Sequence, residues 1–139
     1  WQTLTYAHRL TDPAERDRLQ KLAGVQLRDG EKRLYGLSLS RALGDRLFKN
    51  EETGLSAEPH VSESVTVTAS ADSPVFAVLA TDGLWDYVSE KRVAELVEEI
   101  GAKTGGSSEA ISGVLLEQAA ANRSGDDVTV CVVRLGGGD

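Results

Sequence analysis

Six apolar residues run straight into an acidic turn in Val75-Phe-Ala-Val-Leu-Ala-Thr-Asp-Gly-Leu-Trp-Asp86, and no other stretch constrains this chain as much. The β-favouring composition predicts a strand over Val75–Thr81, and the unbroken apolar run predicts one buried on both faces. Because Asp82-Gly83 ends the run, the Asp82 carboxylate is expected at the rim of a sheet, with a second carboxylate, Asp86, four residues after it.

The rest of the chain supplies elements to surround that strand. Leu4-Thr-Tyr-Ala-His8 reads as the end of a strand or hairpin. Asp12-Pro-Ala-Glu15 marks a helix start, with Asp12 as cap, Pro13 at the first position and Glu15 completing a capping box. Leu19, Leu22 and Ala23 form its apolar stripe and Gly24 its stop. Val25–Arg28 and Arg33–Leu39 flank Asp29-Gly30 as a hairpin. Val61–Thr68 alternates Val with Ser, Thr or Glu, the pattern of a half-buried strand. Ser89 caps a helix carrying Val93, Leu96, Val97 and Ile100, which Gly101–Gly106 is expected to break. A second helix starts at Ser107 or Ser108 with Ile111, Val114, Leu115 and Ala119 on one face. After the turn at Asn122–Gly125, Asp126-Asp127 opens a last strand, Val128–Leu135. Strands in adjacent hairpins and helices in a pair indicate an α+β fold of antiparallel sheets covered by helices.

Composition excludes several classes. With 40% hydrophobic and 27% charged residues, 139 residues suit one globular domain. No apolar run approaches the roughly 18 residues of a membrane helix. Residues 1–50 hold ten Lys/Arg against six Asp/Glu, and residues 51–139 hold five against sixteen. The basic part can face a phosphorylated substrate or simply form solvated surface, and no basic patch with interleaved aromatics suggests nucleic acid. The single cysteine, Cys131, sits in an alternating apolar run and is expected to be a buried, inert thiol. With no leader sequence in view, an intracellular setting is expected, in cytoplasm or nucleus, with an organelle left open. The chain starts at Trp1 and contains no methionine, as expected of a piece of something longer.

The two acidic turns carry the chemistry. Asp82 ends one apolar strand and Asp126 begins another, so if the strands are neighbours both acids lie at one rim. Oxygen donors with only His8 and His60 as imidazoles would select Mg²⁺ or Mn²⁺ over zinc. Aspartates at strand ends are also ordinary turn formers, and spacing does not decide between the two readings. A calcium loop fits poorly, because Asp82–Asp86 lacks alternating oxygen ligands.

Four stretches occur in order: Ser40-Arg-Ala-Leu-Gly-Asp45, Ser56-Ala-Glu-Pro-His-Val61, Ala80-Thr-Asp-Gly-Leu-Trp-Asp86 and Ser124-Gly-Asp-Asp-Val-Thr129. Together they resemble the successive motifs of the C-terminal half of the metal-dependent protein serine/threonine phosphatases of type 2C. The likeness runs from about Leu4 to Leu135, so residues 1–135 are expected to be the C-terminal part of such a catalytic domain and 136–139 a frayed tail. The resemblance implies a four-layer α-β-β-α sandwich, two antiparallel sheets flanked by helices, of which this chain is about half. It implies hydrolysis of phosphoserine and phosphothreonine in protein substrates, in signalling, by a water bridging two Mg²⁺ or Mn²⁺ ions. By motif position it makes Asp82 and Asp126 ligands of the two-metal site and Asp86 a ligand of a weak third metal. A monomer without a membrane span is expected.

Departures from the family pattern limit that reading. The family's N-terminal acidic motif, its Asp-Gly-His-Gly-Gly motif and its phosphate-binding arginine are absent, so this piece is expected to lack catalysis by itself. Ala7 stands where the family commonly has a third-metal aspartate, and Ala7→Asp is expected to strengthen a third metal. That loss motivates the alternative, a non-catalytic phosphatase-like module that binds a partner, against which both Asp82 and Asp126 are retained. Arg41 either orients substrate or forms a structural ion pair, with Asp45 as the nearest acid in sequence. Ser40 has no base beside it, and His8 and His60 read as structural or surface residues. Trp85 is expected to pack under the acidic loop, and Arg46–Ser56 falls where the resemblance implies a variable flap beside the active site, with an inert surface loop equally open. Tyr35 occupies a place near the hairpin where the family often has glycine.

Overall fold

The computed structural model describes residues 1–22, 24–50 and 52–136. They form two compact units, Leu4–Glu63 and, with Trp1–Thr3, Ser64–Asp139.

The unit after Ser64 is an antiparallel strand pair covered by helices. Strand β1 (Val75–Ala80) pairs with β2 (Val130–Leu135), Ala80 opposite Val130 and Val75 opposite Leu135. Between them lie the one-turn helix α2 (Asp82–Trp85), α3 (Glu90–Thr104) and α4 (Ser108–Ala121). The Ser89 hydroxyl accepts from Arg92 N–H and the Ser107 hydroxyl from Ala110 N–H, so each long helix starts at its expected serine cap. Gly101 does not break α3. The helix runs on to Thr104 and ends at Gly105 in the left-handed conformation, φ +66°. Leu84, Val88, Val93, Leu96, Ile111, Leu115 and Ala119 are its buried core, with Phe76, Val78, Val130 and Val132 packed on it from the sheet.

Among the described residues, the helices therefore cover only one face of β1. Leu79 is 59% exposed, and across the strand pair its partner Cys131 is exposed too, which corrects both the strand buried on two faces and the buried thiol. An apolar alternation tells which residues share a face, not whether anything packs on it.

Leu4–Glu63 has little regular structure. Helix α1 (Pro13–Gln20) is capped by Asp12, whose carboxylate accepts from Ala14 N–H. It ends before Gly24; Leu22 is 38% exposed, and Ala23 lies outside the described residues. Leu10, Leu19, Val25, Leu34 and Leu55 form a small core. The chain turns at Asp29-Gly30, but Val25–Arg28 and Arg33–Leu39 do not pair across it; instead, within the second expected strand, Leu34 and Leu37 exchange both backbone hydrogen bonds at 2.8 Å around Tyr35 (φ +49°) and Gly36 (φ +88°). Two successive left-handed residues are what such a hairpin turn requires, which is why position 35 suits glycine. Tyr35 is held there by its hydroxyl, which donates to Glu52 O at 2.8 Å.

No strand forms at Leu4–His8 or Val61–Thr68, and Val61, Val65 and Val67 are 82, 45 and 50% exposed. A strand is stabilised by its neighbours, and among the described residues these segments pair with no other strand. The tail expected to fray begins at Gly136, where an added Cβ would lie 2.6 Å from Ala69 Cβ and Ser70 N; residues 137–139 lie outside the described residues.

Candidate metal centre

The acidic turns meet because β1 and β2 are antiparallel neighbours: the end of one strand lies beside the start of the other. Thr81 fastens them. Its N–H donates to Thr129 O at 3.1 Å, and its hydroxyl donates to Asp127 O at 3.1 Å while accepting from Thr129 N–H at 3.1 Å. From the other side, the Ser124 hydroxyl donates to Gly83 O at 2.9 Å. Gly83 is buried so tightly that a Cβ there would lie 2.6 Å from Asp127 O, closer than any side chain allows. The glycine of Asp82-Gly83 is thus needed for close approach of two backbones rather than for an unusual dihedral.

Asp82 and Asp126 consequently sit at one end of the sheet. Asp82 occupies the first position of α2 and Asp86 caps its C-terminal end, with Asp86 N–H donating to Asp82 O at 2.9 Å. Asp126 is exposed, and its Oδ1 accepts from Asp127 N–H at 2.8 Å, which leaves Oδ2 for other partners. Trp85 packs against the helical core and donates its indole N–H to Ala80 O at 3.0 Å, so the acidic turn rests on a fixed ring. Hard carboxylate oxygens on two clasped turns fit one wall of a Mg²⁺ or Mn²⁺ site. Among the described residues, no three His, Cys, Asp or Glu side chains gather closely enough to hold a cation, so further ligands are needed to complete it.

Arg41 does not pair with Asp45. Its guanidinium grips Glu15 instead, Nε–Oε1 2.9 Å and Nη2–Oε1 2.5 Å. Arg18 donates from Nε and Nη2 to Glu15 Oε2 at 3.0 and 2.9 Å, and the Ser40 hydroxyl donates to the same oxygen at 2.6 Å. Burial alone would raise the carboxyl pKa, but the hydrogen bonds from Arg41, Ser40 and Arg18 outweigh it and hold Glu15 down at about 2. Glu15 is therefore not a capping-box residue but a 1% exposed anion on which the Ser40-Arg41 segment is anchored. Sequence reasoning missed this, although a signal existed: Glu15 shares one helix face with Leu19 and Leu22, and a carboxylate on an apolar stripe requires a buried cation. Ser40, fully buried and bonded to that carboxylate, is no nucleophile.

Beside Glu15, His8 Nδ1 lies 3.4 Å from Oε1, and the His8 pKa is lowered, first by burial and then by the Arg41 charge. His60 lies near it, the Tyr6 ring meeting His8 edge-on and His60 at a tilt. The Arg46–Ser56 loop is pinned by the Asn50 side chain, which accepts from Glu52 and Thr53 N–H, while Leu43 and Leu47 just before and within it stand 93 and 91% exposed.

Comparison with known proteins places this geometry among relatives. The sequence profile of Protein phosphatase 2C matches residues 2–128. Protein phosphatase 2C 70 of Arabidopsis thaliana is 44% identical over 130 residues, covering 91% of this chain and 22% of the relative. Protein phosphatase 2C homolog 1 of Saccharomyces cerevisiae is 34% identical over 133 residues, covering 95% of this chain and 42% of the relative. The crystal structure of serine-threonine phosphatase 2C from Toxoplasma gondii superposes with a TM-score of 0.65 at 28% identity, covering 96% of this chain and 46% of that one. A C. elegans sex determining protein gives a TM-score of 0.71 at 28% identity, covering 93% of this chain and 31% of that one. The chain spans less than half the length of each of these proteins.

Proposed function

Because the chain belongs to the protein phosphatase 2C family, we propose that the longer protein containing it hydrolyses phosphoserine and phosphothreonine in protein substrates. The observation that carries this reading is the clasp of Thr81 and Ser124, which sets Asp82 and Asp126 at one end of the β1–β2 pair. Asp82 and Asp126 would hold the two-metal site from one side, with Asp86 serving a weak third ion. Bound Mg²⁺ or Mn²⁺ supplies charge neutralisation at the phosphoryl oxygens and lowers the pKa of water. Thr81 and Gly83 keep the two backbones in contact, so that the carboxylates present themselves without rearrangement. Arg41 acts as a structural brace, its guanidinium already committed to Glu15.

The finer architecture belongs to the same reading. The outward face of the strand pair, Leu79 and Val133 among it, is apolar and exposed, and we infer that a second antiparallel sheet packs there in a four-layer sandwich completed by upstream sequence. The non-catalytic module is not favoured: Ala7 motivates it, but both two-metal aspartates are present and the named relatives are phosphatases. The test is hydrolysis of a phosphothreonine peptide by the longer protein. Turnover is expected only with Mg²⁺ or Mn²⁺; turnover that persists in EDTA, or in Asp82→Ala and Asp126→Ala alike, sinks the reading.

A further inference from the structure

The only two histidines of the chain, His8 and His60, lie far apart in sequence yet come together on one aromatic side chain. Their ring centres are 5.9 Å apart, and each ring packs on Tyr6, at 4.7 and 4.9 Å. Neither imidazole is fully satisfied by this arrangement. His8 Nδ1 is buried without a hydrogen-bond partner, and Glu15 Oε1 lies 3.4 Å from it. The Tyr6 hydroxyl reaches His60 Nδ1 only at 3.5 Å, the outer limit of a hydrogen bond.

We propose that His8 and His60, with the Tyr6 hydroxyl beside them, bind one borderline transition-metal ion of the Zn²⁺ or Cu²⁺ type. Two imidazoles sharing an ion through nitrogens at about 2.0–2.1 Å have ring centres about 5–6 Å apart, which is the spacing present. Glu15 Oε1, an anion 3.4 Å from His8 Nδ1, favours the proton on that nitrogen and so leaves Nε2 with its lone pair. Glu15 cannot turn away, because Arg18, Arg41 and Ser40 hold both its oxygens. Its charge also offsets the Arg41 guanidinium, which would otherwise repel a cation. Burial and Arg41 lower the His8 pKa, so the ring is neutral and able to ligate at neutral pH. The site is open to solvent, since His60 is exposed and Tyr6 is 43% exposed. Imidazole donors select this class of ion over Mg²⁺, so its preference differs from that of the oxygen-only set at Asp82 and Asp126.

Calorimetric titration of ZnCl₂ into the 139-residue chain, in chelator-free buffer with excess Mg²⁺, tests the proposal. One Zn²⁺ per chain is expected, with affinity reduced about tenfold or more in His60→Ala. His60→Ala alters an exposed side chain, so the variant stays folded; an unchanged circular dichroism melt checks this. His8→Ala is expected to lose the same site, and Cu²⁺ bound to the parent chain is expected to show nitrogen hyperfine coupling from two imidazoles. Absence of Zn²⁺ binding, equal affinity in His60→Ala, or binding lost in Cys131→Ser and kept in His60→Ala would each overturn it.

Discussion

The two units of this chain solve burial in opposite ways. In Ser64–Asp139 the buried side chains among the described residues are apolar, from Leu84 to Ala119, and its acids stand at the rim. In Leu4–Glu63 the buried set includes Glu15, Ser40 and Thr53, and a single carboxylate ties α1 to the Ser40-Arg41 segment. An apolar core of helices and strands is held by many small contacts and tolerates exposed charge beside it. A loop-rich unit with five core residues relies instead on one strong, directional hub. The difference teaches that charged residues in this molecule do two jobs, and exposure separates them: Glu15 is at 1%, whereas Asp126 is exposed.

The largest effects should come from the rim. In the longer protein, Asp82→Ala or Asp126→Ala is expected to reduce Mg²⁺-dependent phosphopeptide turnover by more than about 100-fold with little change in Tm. A fall in Tm matching that of a core variant would show that these acids are structural, and the contrast would collapse. Next come the two cores. Leu115→Ala, at a position with 0% exposure, is expected to destabilise the chain by about 2–5 kcal/mol in urea unfolding. Glu15→Gln removes the anion between Arg18 and Arg41 and should cost about 3 kcal/mol. Hydrogen exchange is expected to show the first loss in Ser64–Asp139 and the second in Leu4–Glu63.

Acid offers a graded test. Glu15 has a pKa lowered from 4.5 to about 2, so the unfolded chain binds its proton first. That contribution is complete above pH 4.5 and is lost as pH falls toward 2. His8 acts in the same direction: its lowered pKa means the unfolded state also takes that proton first below 6.5. Exchange protection in Leu4–Glu63 should therefore decline on acidification before that in α3 and α4; simultaneous loss would make the division into two kinds of core untenable. The smallest effect is a cap. Ser107→Ala frees one N–H at the start of α4 and should lower stability by about 1 kcal/mol, within the apolar unit only.

Legibility in the sequence followed the range of the interactions. Ser89 and Ser107 announced α3 and α4 because a cap and an apolar period lie within one or two turns of each other. Val75–Ala80 and Val130–Leu135 were legible as strands, and the acids at their ends could be placed at one rim once the strands were neighbours. The Glu15 hub was not, since Arg41 lies 26 residues away and Asp45 is nearer in the chain. The Val61–Thr68 alternation promised a strand that has no partner among the described residues, because periodicity states a preference and pairing realises it. Asp82-Gly83 was legible as the end of the strand, but only the opposing Asp127 carbonyl shows why position 83 is glycine.

The open face of the strand pair has a consequence for how the isolated chain behaves in solution. Leu79, Val133 and Leu135 offer one copy a surface attractive to the next, while a net charge of −7 keeps copies apart. Salt weakens the second term and leaves the first, since charge repulsion between molecules is screened beyond about 8 Å at physiological ionic strength. Colloidal stability should thus fall as NaCl is added, and once copies associate through this face the exposed Cys131 thiols on it can cross-link in air, making clustering hard to reverse.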